Sequence, residues 1–435
     1  MKNKGETKMK NWKKLAALLL ALVMVVGCFT ACGNNADTND DEIQYDENGN
    51  PDLSGQTLKI GYFGAMTDSD CTIQQNVIKL FMDKWNSEGT LYGAKVELVA
   101  YDNGNNGAQD TEMSIKCAQK LINSDKVQVI IPAQLSNIIQ ATGEIINEAK
   151  ILDIGLGLSA TWMQQGWDYV YRPALCNDFQ VPSVTATMVE LNQKNIALLY
   201  ANTDNCLTFR DTFKTNCEKD GINIVCDEMV ASASSGSGQG AGTGVTGQIT
   251  KAVQSNPDAI FITVMGNEFG TLIKQIRQAG YDGMIYIGQN LFAEEIESIG
   301  DEEVNGVIMC SPYVTYSNVE DCQNDFLRGI LQAYEDTYGV CPGSDMIYKT
   351  WDAMLLVENA VLAAKSVDSE KMQAAISSLV IEGCAGTMDF TQGTNECYFG
   401  ARAWVYTGQG AAGAPILLDE WLESDLADKV VITNS

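Results

Sequence analysis

The sequence predicts an α/β protein of two doubly wound lobes. Short apolar strands alternate with segments whose apolar residues recur at helical spacing, beginning at Thr57, and this alternation starts afresh after Asp178. Strands and helices in turn indicate a parallel sheet with helices on both faces. The second start therefore indicates a second sheet. A chain of 435 residues, 45% of them hydrophobic, is long enough to bury a core around each.

The elements of the first lobe follow from this pattern. The strand LKIGYFGAM precedes a segment in which Val77, Phe81 and Trp85 share one helical face, and Gly89 ends that helix. The pattern then predicts, in order, the strand KVELVAYDNG, the helix DTEMSIKCAQKLINSD, the strand VQVIIPAQ, a helix over residues 138–149 and the strand ILDIGLGL.

The second lobe repeats the alternation with one interruption. Its predicted helices are VPSVTATMVELNQ, FRDTFKTNCEKDG, TGQITKAVQSN and NEFGTLIKQIRQAGY, and its strands are NIALLYAN, INIVCDEMV, DAIFITVMG, MIYIGQN and VNGVIMCSPYV. The Gly/Ser-rich segment at 231–244 is low in complexity, and we predict a mobile surface loop there. Open α/β sheets bind ligands beyond the carboxyl ends of their strands, so we expect a site there in each lobe.

The N-terminus is typical of a secretory signal. Six lysines precede an apolar run from Leu15 to Gly27, which is shorter than the roughly 20 residues that a membrane span requires. Small residues and two cysteines follow, and this end resembles a bacterial lipoprotein signal. We therefore predict a signal over residues 1–31 and lipidation of Cys32. Cys28 is the alternative, and an ordinary cleaved signal is a third possibility.

Charge and composition exclude several classes of function. Residues 32–56 are polar and acidic, and we predict a flexible tether. Loss of the signal removes six lysines and one glutamate and leaves 22 basic and 55 acidic residues, a net charge of −33. This sign argues against nucleic acid as a partner. The chain has no histidine, which removes His-based catalysis and His zinc sites, so we expect no enzyme activity, metal or cofactor.

The cysteines do not indicate a disulfide framework. The chain has 13 cysteines and no CxxC pair. If Cys32 carries the lipid, an odd number remains in the folded part, so at least one has no partner within the chain. We expect most of them to be small buried hydrophobic residues.

A series of landmarks, in order from about Lys59 to Tyr406, resembles one known family. They are LKIGYFGAMT, MDKWNSEGTLYGAKVELVAYDN, KLINSDKVQVIIPAQLSN, GLSATWMQQGWDYVYRPA, NIALLYANTD, PDAIFITVMGNEFGTLIKQIRQAGYDG, NGVIMCSP, YEDTYGVCPGSDMIYKTWDAMLLVENAV and CAGTMDFTQGTNE. Together they resemble the substrate-binding proteins of ABC importers of the branched-chain amino acid class, the Leu/Ile/Val-binding protein family.

The resemblance implies the type I periplasmic-binding-protein fold, in which two α/β lobes are joined by three crossovers. We expect the crossovers near Asp178, near Pro312–Val314 and near Gly386–Asp389. Lobe one would then comprise residues 57–178 and 314–386, and lobe two residues 179–313 and 387–430.

The resemblance also implies a ligand site at the stretch IGLGLSATWMQQ. In the family, the corner that matches Ser159, Ala160 and Thr161 holds a ligand's carboxylate and amino group, and the serine that matches Ser136 assists. Hydroxyls and backbone N–H groups beside a helix N-terminus form a neutral anion site without any family argument. Helix capping is the alternative role for these hydroxyls. A nucleophile is a poor interpretation, because no histidine can activate it.

The second lobe departs from the family pattern. The acid that holds a ligand ammonium falls on Asn290, and an amide cannot supply the charge that an ammonium requires in a dry cleft. Asp204 or Asp178 could replace it. The positions of two family aromatic residues fall near Asn205 and Gly266, which predicts a more polar cleft wall.

Three aromatic residues could enclose a ligand, although residues of this kind more often serve as plain packing. They are Trp162, Tyr313 and Tyr348.

The sequence therefore predicts a monomeric, extracytoplasmic solute-binding protein, anchored by lipid at the outer face of the cytoplasmic membrane. It would capture a small polar solute, an amino acid or a related amide or urea-like compound, and deliver it to ABC permease subunits. A surface ligand sensor of the same fold and an exported hydrolase are the alternatives.

Overall fold

The computed structural model describes residues 43–433 except 106–107, 231–243, 266–267, 292, 317 and 409–414. The predicted signal, both candidate lipidation cysteines and nearly all of the Gly/Ser-rich insert lie outside the described residues. Within the described ranges, none of the helices combines the length and the apolar character that a membrane crossing requires.

The first part of the chain forms a layer of strands and helices that alternate as predicted. In chain order its elements are β1 (Thr57–Gly64), α1 (Ser69–Glu88), β2 (Lys95–Asp102), β3 (Gly104–Asn105), β4 (Ala108–Gln109), α2 (Thr111–Lys120), β5 (Val129–Pro132), α3 (Ser136–Glu148), β6 (Leu152–Ile154) and β7 (Val170–Tyr171). Five strands form a parallel sheet in the order β2-β1-β5-β6-β7.

The middle of the chain forms a second layer. Its elements are α4 (Asn177–Glu190), β8 (Asn195–Ala201), α5 (Asp204–Asp220), β9 (Asn223–Val230), α6 (Thr246–Gln254), β10 (Ala259–Thr263), α7 (Glu268–Gln278), β11 (Met284–Ile287), α8 (Ala293–Ile299), α9 (Asp301–Val304) and β12 (Val307–Ser311). β8 to β12 are parallel to one another in the order β9-β8-β10-β11-β12.

The rest of the chain returns to the first layer and then ends in the second. Its elements are α10 (Asp325–Tyr338), α11 (Met346–Ala364), α12 (Ser369–Ile376), β13 (Val380–Glu382), β14 (Thr387–Asp389), β15 (Arg402–Tyr406), β16 (Ile416–Leu417) and α13 (Leu418–Leu422). α11 packs against α1, whereas β15 pairs antiparallel with β12 and β16 with β15. The two lobes are therefore built from discontinuous pieces of chain.

Both faces of the second sheet are buried. Along β8, Ile196 and Leu198 point into one hydrophobic cluster, and Ala197 and Leu199 point into another on the opposite face. β10 is buried at every residue. Helices cover both sides of this parallel sheet, which explains why its strands are continuous apolar runs rather than alternating ones.

α5 begins earlier than the sequence pattern predicts, and the difference matters for the site. The apolar spacing indicates a start at Phe209, but the helix begins at Asp204 because the Thr203 side chain accepts a hydrogen bond from the Cys206 N–H as its N-cap. This adds a helical turn whose polar side chains lie at the carboxyl end of β8.

Residues 44–56 differ from the expected flexible tether. Tyr45 and Pro51 form an antiparallel bridge, Leu53 is completely buried, and the Leu53 N–H donates to the Tyr92 carbonyl oxygen at 2.8 Å. A buried leucine with a satisfied backbone holds this segment on the lobe, although its composition is polar and acidic.

Three segments of the described chain pass between the two sheets, after β7, after β12 and before β15. The third passage differs from its expected position, because Thr387–Asp389 is β14 and pairs with β13. The chain instead crosses over residues 390–401, where the Asn395 carbonyl oxygen accepts a hydrogen bond from the Arg172 N–H at 2.8 Å. The residues at which each lobe ends remain predictions.

Eleven cysteines lie within the described ranges, and all are free thiols, nine of them buried. Burial raises the pKa of each of these thiols, for example that of Cys71 to about 12. A buried thiol with a raised pKa is a poor nucleophile, so these residues act as small packing groups.

Candidate functional site

The corner at Ser159 lies between the two lobes and joins them. The Ser159 hydroxyl lies 2.9 Å from the Thr161 hydroxyl and 3.2 Å from the hydroxyl of Thr208 on α5. The Thr161 hydroxyl donates to Asp204 Oδ2 at 3.1 Å. Ser136 Oγ accepts from the Ser159 N–H at 3.2 Å. Four of the predicted site residues therefore meet, and Thr208 joins them.

The Ser136 hydroxyl forms its hydrogen bond with the corner and does not cap its own helix. Ser136 is the first residue of α3, whose N-cap, Leu135, makes no side-chain capping bond. The close approach of corner and helix requires glycine at position 157, where a Cβ would lie 2.7 Å from Ser136 Oγ. Ala160, between the two hydroxyl residues, is buried.

Arg172 supports the corner and was missed by the sequence analysis. Its buried guanidinium donates to the carbonyl oxygens of Ser159 at 2.7 Å and Gly157 at 3.3 Å, and it forms an ion pair with Glu396. Glu396 belongs to the third crossover, so one arginine connects the corner to this crossover. A lone arginine between strand and loop carries no recognisable sequence signal.

Trp162 lies in a hydrophobic cluster beside the corner. It is fully buried with Ile139 and Val170, and the Arg172 guanidinium lies 4.9 Å from its ring centroid. These contacts are those of a packing residue that fixes the position of the corner.

The polar contacts continue from the corner along the second lobe. Asn177 Nδ2 donates to Asn205 Oδ1 at 2.8 Å and to the Asn205 carbonyl oxygen at 3.1 Å. Asn205 Nδ2 and Gln289 Nε2 each lie 3.8 Å from the sulfur of Met265. The carboxyl ends of β8, β10 and β11 are thus linked. Asp178, the other acid considered, accepts from the hydroxyl of Thr212 at 3.0 Å.

A second join between the lobes lies at Asn290. Its Nδ2 donates to Asp345 Oδ2 at 3.2 Å. Asp345 immediately precedes α11 of the first lobe, and its two carboxylate oxygens lie 2.8 and 2.9 Å from Lys349 Nζ. Asn290 was a predicted site residue, whereas the Asp345–Lys349 pair was not predicted, since an i,i+4 pair usually indicates an exposed helix face.

Next to this join the first lobe carries a buried carboxyl group. Asp70 accepts hydrogen bonds from Ser344 Oγ at 2.6 Å and from Gln134 Nε2. Burial raises the pKa of the Asp70 carboxyl to about 6, and the negative charge of Asp345 adds to this shift while the Ser344 bond opposes it.

These contacts close on themselves, and we call the closed series the cleft ring. It runs through Asp70, Gln134, Ser136, Ser159, Thr208, Asn205, Met265, Gln289, Asn290, Asp345 and Ser344. Neighbours in the ring are joined by a contact or by a short stretch of chain. The ring connects the carboxyl ends of strands from both sheets, which is where open α/β sheets bind ligands.

A surface depression of about 570 Å³ also exists at the opposite end of α5, lined by residues such as Lys214 and Glu218. It involves only the second lobe and has none of the convergent polar groups of the cleft ring. We therefore assign the candidate site to the ring.

Tyr313 and Tyr348 lie together, with ring centroids 4.9 Å apart. Both are buried, and neither hydroxyl has a hydrogen-bond partner among the described residues. The buried Oδ1 atoms of Asn177 and Asn290 also lack one. Buried polar atoms are almost always paired, so these unpaired atoms are unusual features of this region.

The described residues contain no group of three or more His, Cys, Asp or Glu side chains that could hold a metal ion. The polar groups of the cleft ring are hydroxyls, amides and carboxylates, which suit a small hydrogen-bonding ligand.

Comparison with known proteins identifies the family. The family profile described as periplasmic binding protein matches residues 57–411. The chain belongs to this family. Among curated proteins, this periplasmic binding protein is 21% identical over 345 residues to the leucine-, isoleucine-, valine-, threonine- and alanine-binding protein of Pseudomonas aeruginosa. That match covers 78% of this chain and 87% of the relative.

Solved structures show the same fold. The branched-chain amino acid transporter substrate-binding protein LivJ of Streptococcus pneumoniae, in complex with isoleucine, matches with a TM-score of 0.68 and 22% identity, over 83% of this chain and 100% of that chain. A solute-binding protein of an ABC transporter from Rhodopseudomonas palustris, in complex with 3,4-dihydroxybenzoic acid, matches with a TM-score of 0.69 and 20% identity, over 82% and 95% of the chains. The predicted family and the predicted type I fold of two lobes are confirmed.

Proposed function

We propose that this periplasmic binding protein captures a small polar solute within the cleft ring and delivers it to the permease of an ABC importer. Membership of the family supports solute binding outside the cytoplasm. The identity of the solute, the residues that bind it and the lipid anchor are our proposals.

The observation that carries the proposal is the double join between the lobes. Thr161 bonds to Asp204 at one side and Asn290 bonds to Asp345 at the other, and both joins lie at carboxyl ends of strands. A ligand held between them would contact both lobes at once. It would therefore stabilise the arrangement in which the lobes are together, which is the conformational signal that a transport partner can recognise.

The corner supports a carboxylate or amide as part of the solute. The hydroxyls of Ser159 and Thr161 and the N-terminus of α3 are neutral hydrogen-bonding groups, and such groups bind anions without a counter-charge. The known relatives include a protein named for amino acid binding and one in complex with a benzoic acid, so the fold accommodates both kinds of ligand.

The test is a thermal-shift screen of residues 33–435 against amino acids, their amides, ureas and small carboxylates at millimolar concentration. Residues 44–435 form one compact unit, so this fragment retains the whole fold. A solute at 100 times its Kd stabilises the protein by about 2.7 kcal/mol, and we expect a rise in Tm of a few degrees.

A variant with Ser136→Ala and Thr161→Ala provides the control for this screen. A solute that binds in the cleft ring must lose most of its Tm shift in the double variant. An equal shift in both proteins would show that the solute binds elsewhere and would refute the assignment of the site.

A further inference from the structure

Lys349 on α11 is buried, although it forms an i,i+4 ion pair with Asp345 and such pairs usually lie on an exposed helix face. Only 6% of its side chain is accessible, and 17% of the Asp345 side chain. Exposed i,i+4 pairs stabilise their own helix slightly, and they need no contact with another element. This pair differs, because Asn290 from the other lobe bonds to the same carboxylate at 3.2 Å.

The ammonium of Lys349 compensates the charge of that carboxylate. Nζ lies 2.8 Å from one oxygen of Asp345 and 2.9 Å from the other, and Asn290 occupies a further acceptor position on Oδ2. A carboxylate in a dry cleft is the group that would otherwise bind a ligand ammonium. Here the chain itself supplies the ammonium.

A ligand ammonium would have to displace Lys349 from Asp345. Displacement leaves the lysine as an unpaired cation in a buried position. The free energy lost in this way exceeds the free energy gained from the new ion pair. The alternative partner, Asp70, already accepts hydrogen bonds from the Ser344 hydroxyl and from Gln134 Nε2. The cleft ring therefore has no ready carboxylate for a ligand cation at this join.

The same join does offer neutral hydrogen-bonding atoms. Asn290 Oδ1 and the Tyr313 hydroxyl are buried and have no partner among the described residues. The oxygen of Asn290 accepts from an N–H or O–H group, and the tyrosine can donate or accept. These atoms suit an amide, a hydroxyl or a protonated acid, and they cannot compensate a full charge.

We propose that Lys349 takes the place of a ligand ammonium at the Asn290 join, so that the cleft favours solutes with a carboxylate or amide and no ammonium group at that position. This inference rests on the proposed function, since it names the solute class for the same cleft. Asp345 remains a structural acid under this proposal, and Lys349 sets the specificity.

The test compares matched pairs of ligands that differ only in the amino group. The probes are L-alanine with propionate, L-valine with isovalerate, and L-phenylalanine with hydrocinnamate, measured by calorimetry on the unsubstituted protein and on Lys349→Met. We expect the unsubstituted protein to prefer the compound without the amino group in at least one pair by tenfold or more. In Lys349→Met, which frees Asp345, that ratio should move by at least tenfold toward the amino acid.

Two control variants separate this effect from general damage. Lys349→Arg keeps a positive charge beside Asp345 and should retain the original preference. Lys251→Met removes a lysine from an exposed pair with Glu228 on the second lobe and should leave the ratio unchanged. The comparison on the unsubstituted protein needs no variant, so a fold defect in Lys349→Met cannot hide the answer.

The opposing outcomes are distinct. Tighter binding of amino acids by the unsubstituted protein overturns this inference but leaves the cleft assignment standing. Loss of carboxylate binding in Lys349→Met without any gain for amino acids also overturns it, because Lys349 would then contact the ligand directly. If no member of any pair binds either protein and the wider solute screen is also silent, the proposed function fails and the inference with it.

Discussion

Thr161 and Ser136 are the residues on which the corner depends. Each hydroxyl has a partner across a gap in the sequence: Thr161 bonds to Asp204, and Ser136 accepts from the Ser159 N–H. The alternative considered from sequence was helix capping, and Ser136 makes no capping bond to its own helix among the contacts described. The Thr161 hydroxyl therefore joins the two lobes, and the Ser136 hydroxyl holds the corner within the first lobe.

Replacing either hydroxyl should weaken solute binding. We expect Ser136→Ala and Thr161→Ala each to raise the free energy of binding by roughly 1 to 3 kcal/mol, because each removes a hydrogen-bonding hydroxyl from the corner. Calorimetric titration with a solute found in the screen measures this directly. Thr215→Ala, at an exposed position on α5 with a local bond to Asp211, is the matched control. Unchanged affinity in both corner variants would mean that the site lies on other loops.

At the scale of the element, β6 contains an unusual strand residue. Asp153 is fully buried in the middle of β6, and neither carboxylate oxygen has a hydrogen-bond partner among the described residues. Burial raises the pKa of this carboxyl from 3.8 to about 8. The folded protein therefore holds a proton on Asp153 at neutral pH, whereas the unfolded chain has released it.

This difference gives a pH dependence with a definite sign. Since the folded state binds the proton more tightly, the contribution of Asp153 is most favourable below about pH 4 and is lost as the pH rises to about 8. We expect Asp153→Asn, which cannot ionise, to exceed the original protein in free energy of unfolding at pH 9 by at least about 1.4 kcal/mol, the equivalent of one pKa unit.

Urea denaturation at pH 5, 7 and 9 measures this prediction. The difference between the two proteins should grow with pH, while the exposed Asp425→Asn control should show no such trend. Asp70 and Asp352, whose pKa values burial also raises, are present in both proteins and cancel in the comparison. A difference that shrinks as the pH rises would show that Asp153 is ionised in the folded state.

At the scale of the whole molecule, the proposed lipid anchor would determine the cellular location of the protein. The apolar N-terminal run, the small residues and Cys32 predict a lipid on that cysteine, and the family supports a location outside the cytoplasm. Residues 44–56 are held on the lobe, so a flexible tether remains a prediction only for the residues that precede them.

We expect Cys32→Ser to abolish incorporation of labelled fatty acid and release the protein from the membrane fraction. Cys28→Ser should keep both, because Cys28 is removed with the signal. Expression in a bacterium that processes lipoproteins, followed by fractionation and labelling, distinguishes the two variants. The reverse pattern would assign the lipid to Cys28, and labelling retained in both would exclude a lipid on either cysteine alone.

The ion pair of Arg172 with Glu396 is a contact that could not be predicted from the sequence. The two residues are 224 positions apart, yet the arginine holds two carbonyl oxygens of the corner and bonds to the hinge. Asp345 and Asn290 are likewise 55 positions apart. Such pairs carry no local period, so neither the spacing of apolar residues nor a motif could indicate them.

By itself the sequence predicted the fold class and most of the order of strands and helices, because apolar periodicity and turn residues act over a few positions. The corner at Ser159 was predicted from the resemblance to the family, and its role in binding stays a prediction. Only the tertiary structure decided which side chains complete the site. Asp345, Lys349, Thr208 and Arg172 enter it because two discontinuous lobes meet, and the packing of whole sheets and helices determines where they meet. The charge available to a ligand therefore depends on long-range contacts rather than on any single stretch of chain.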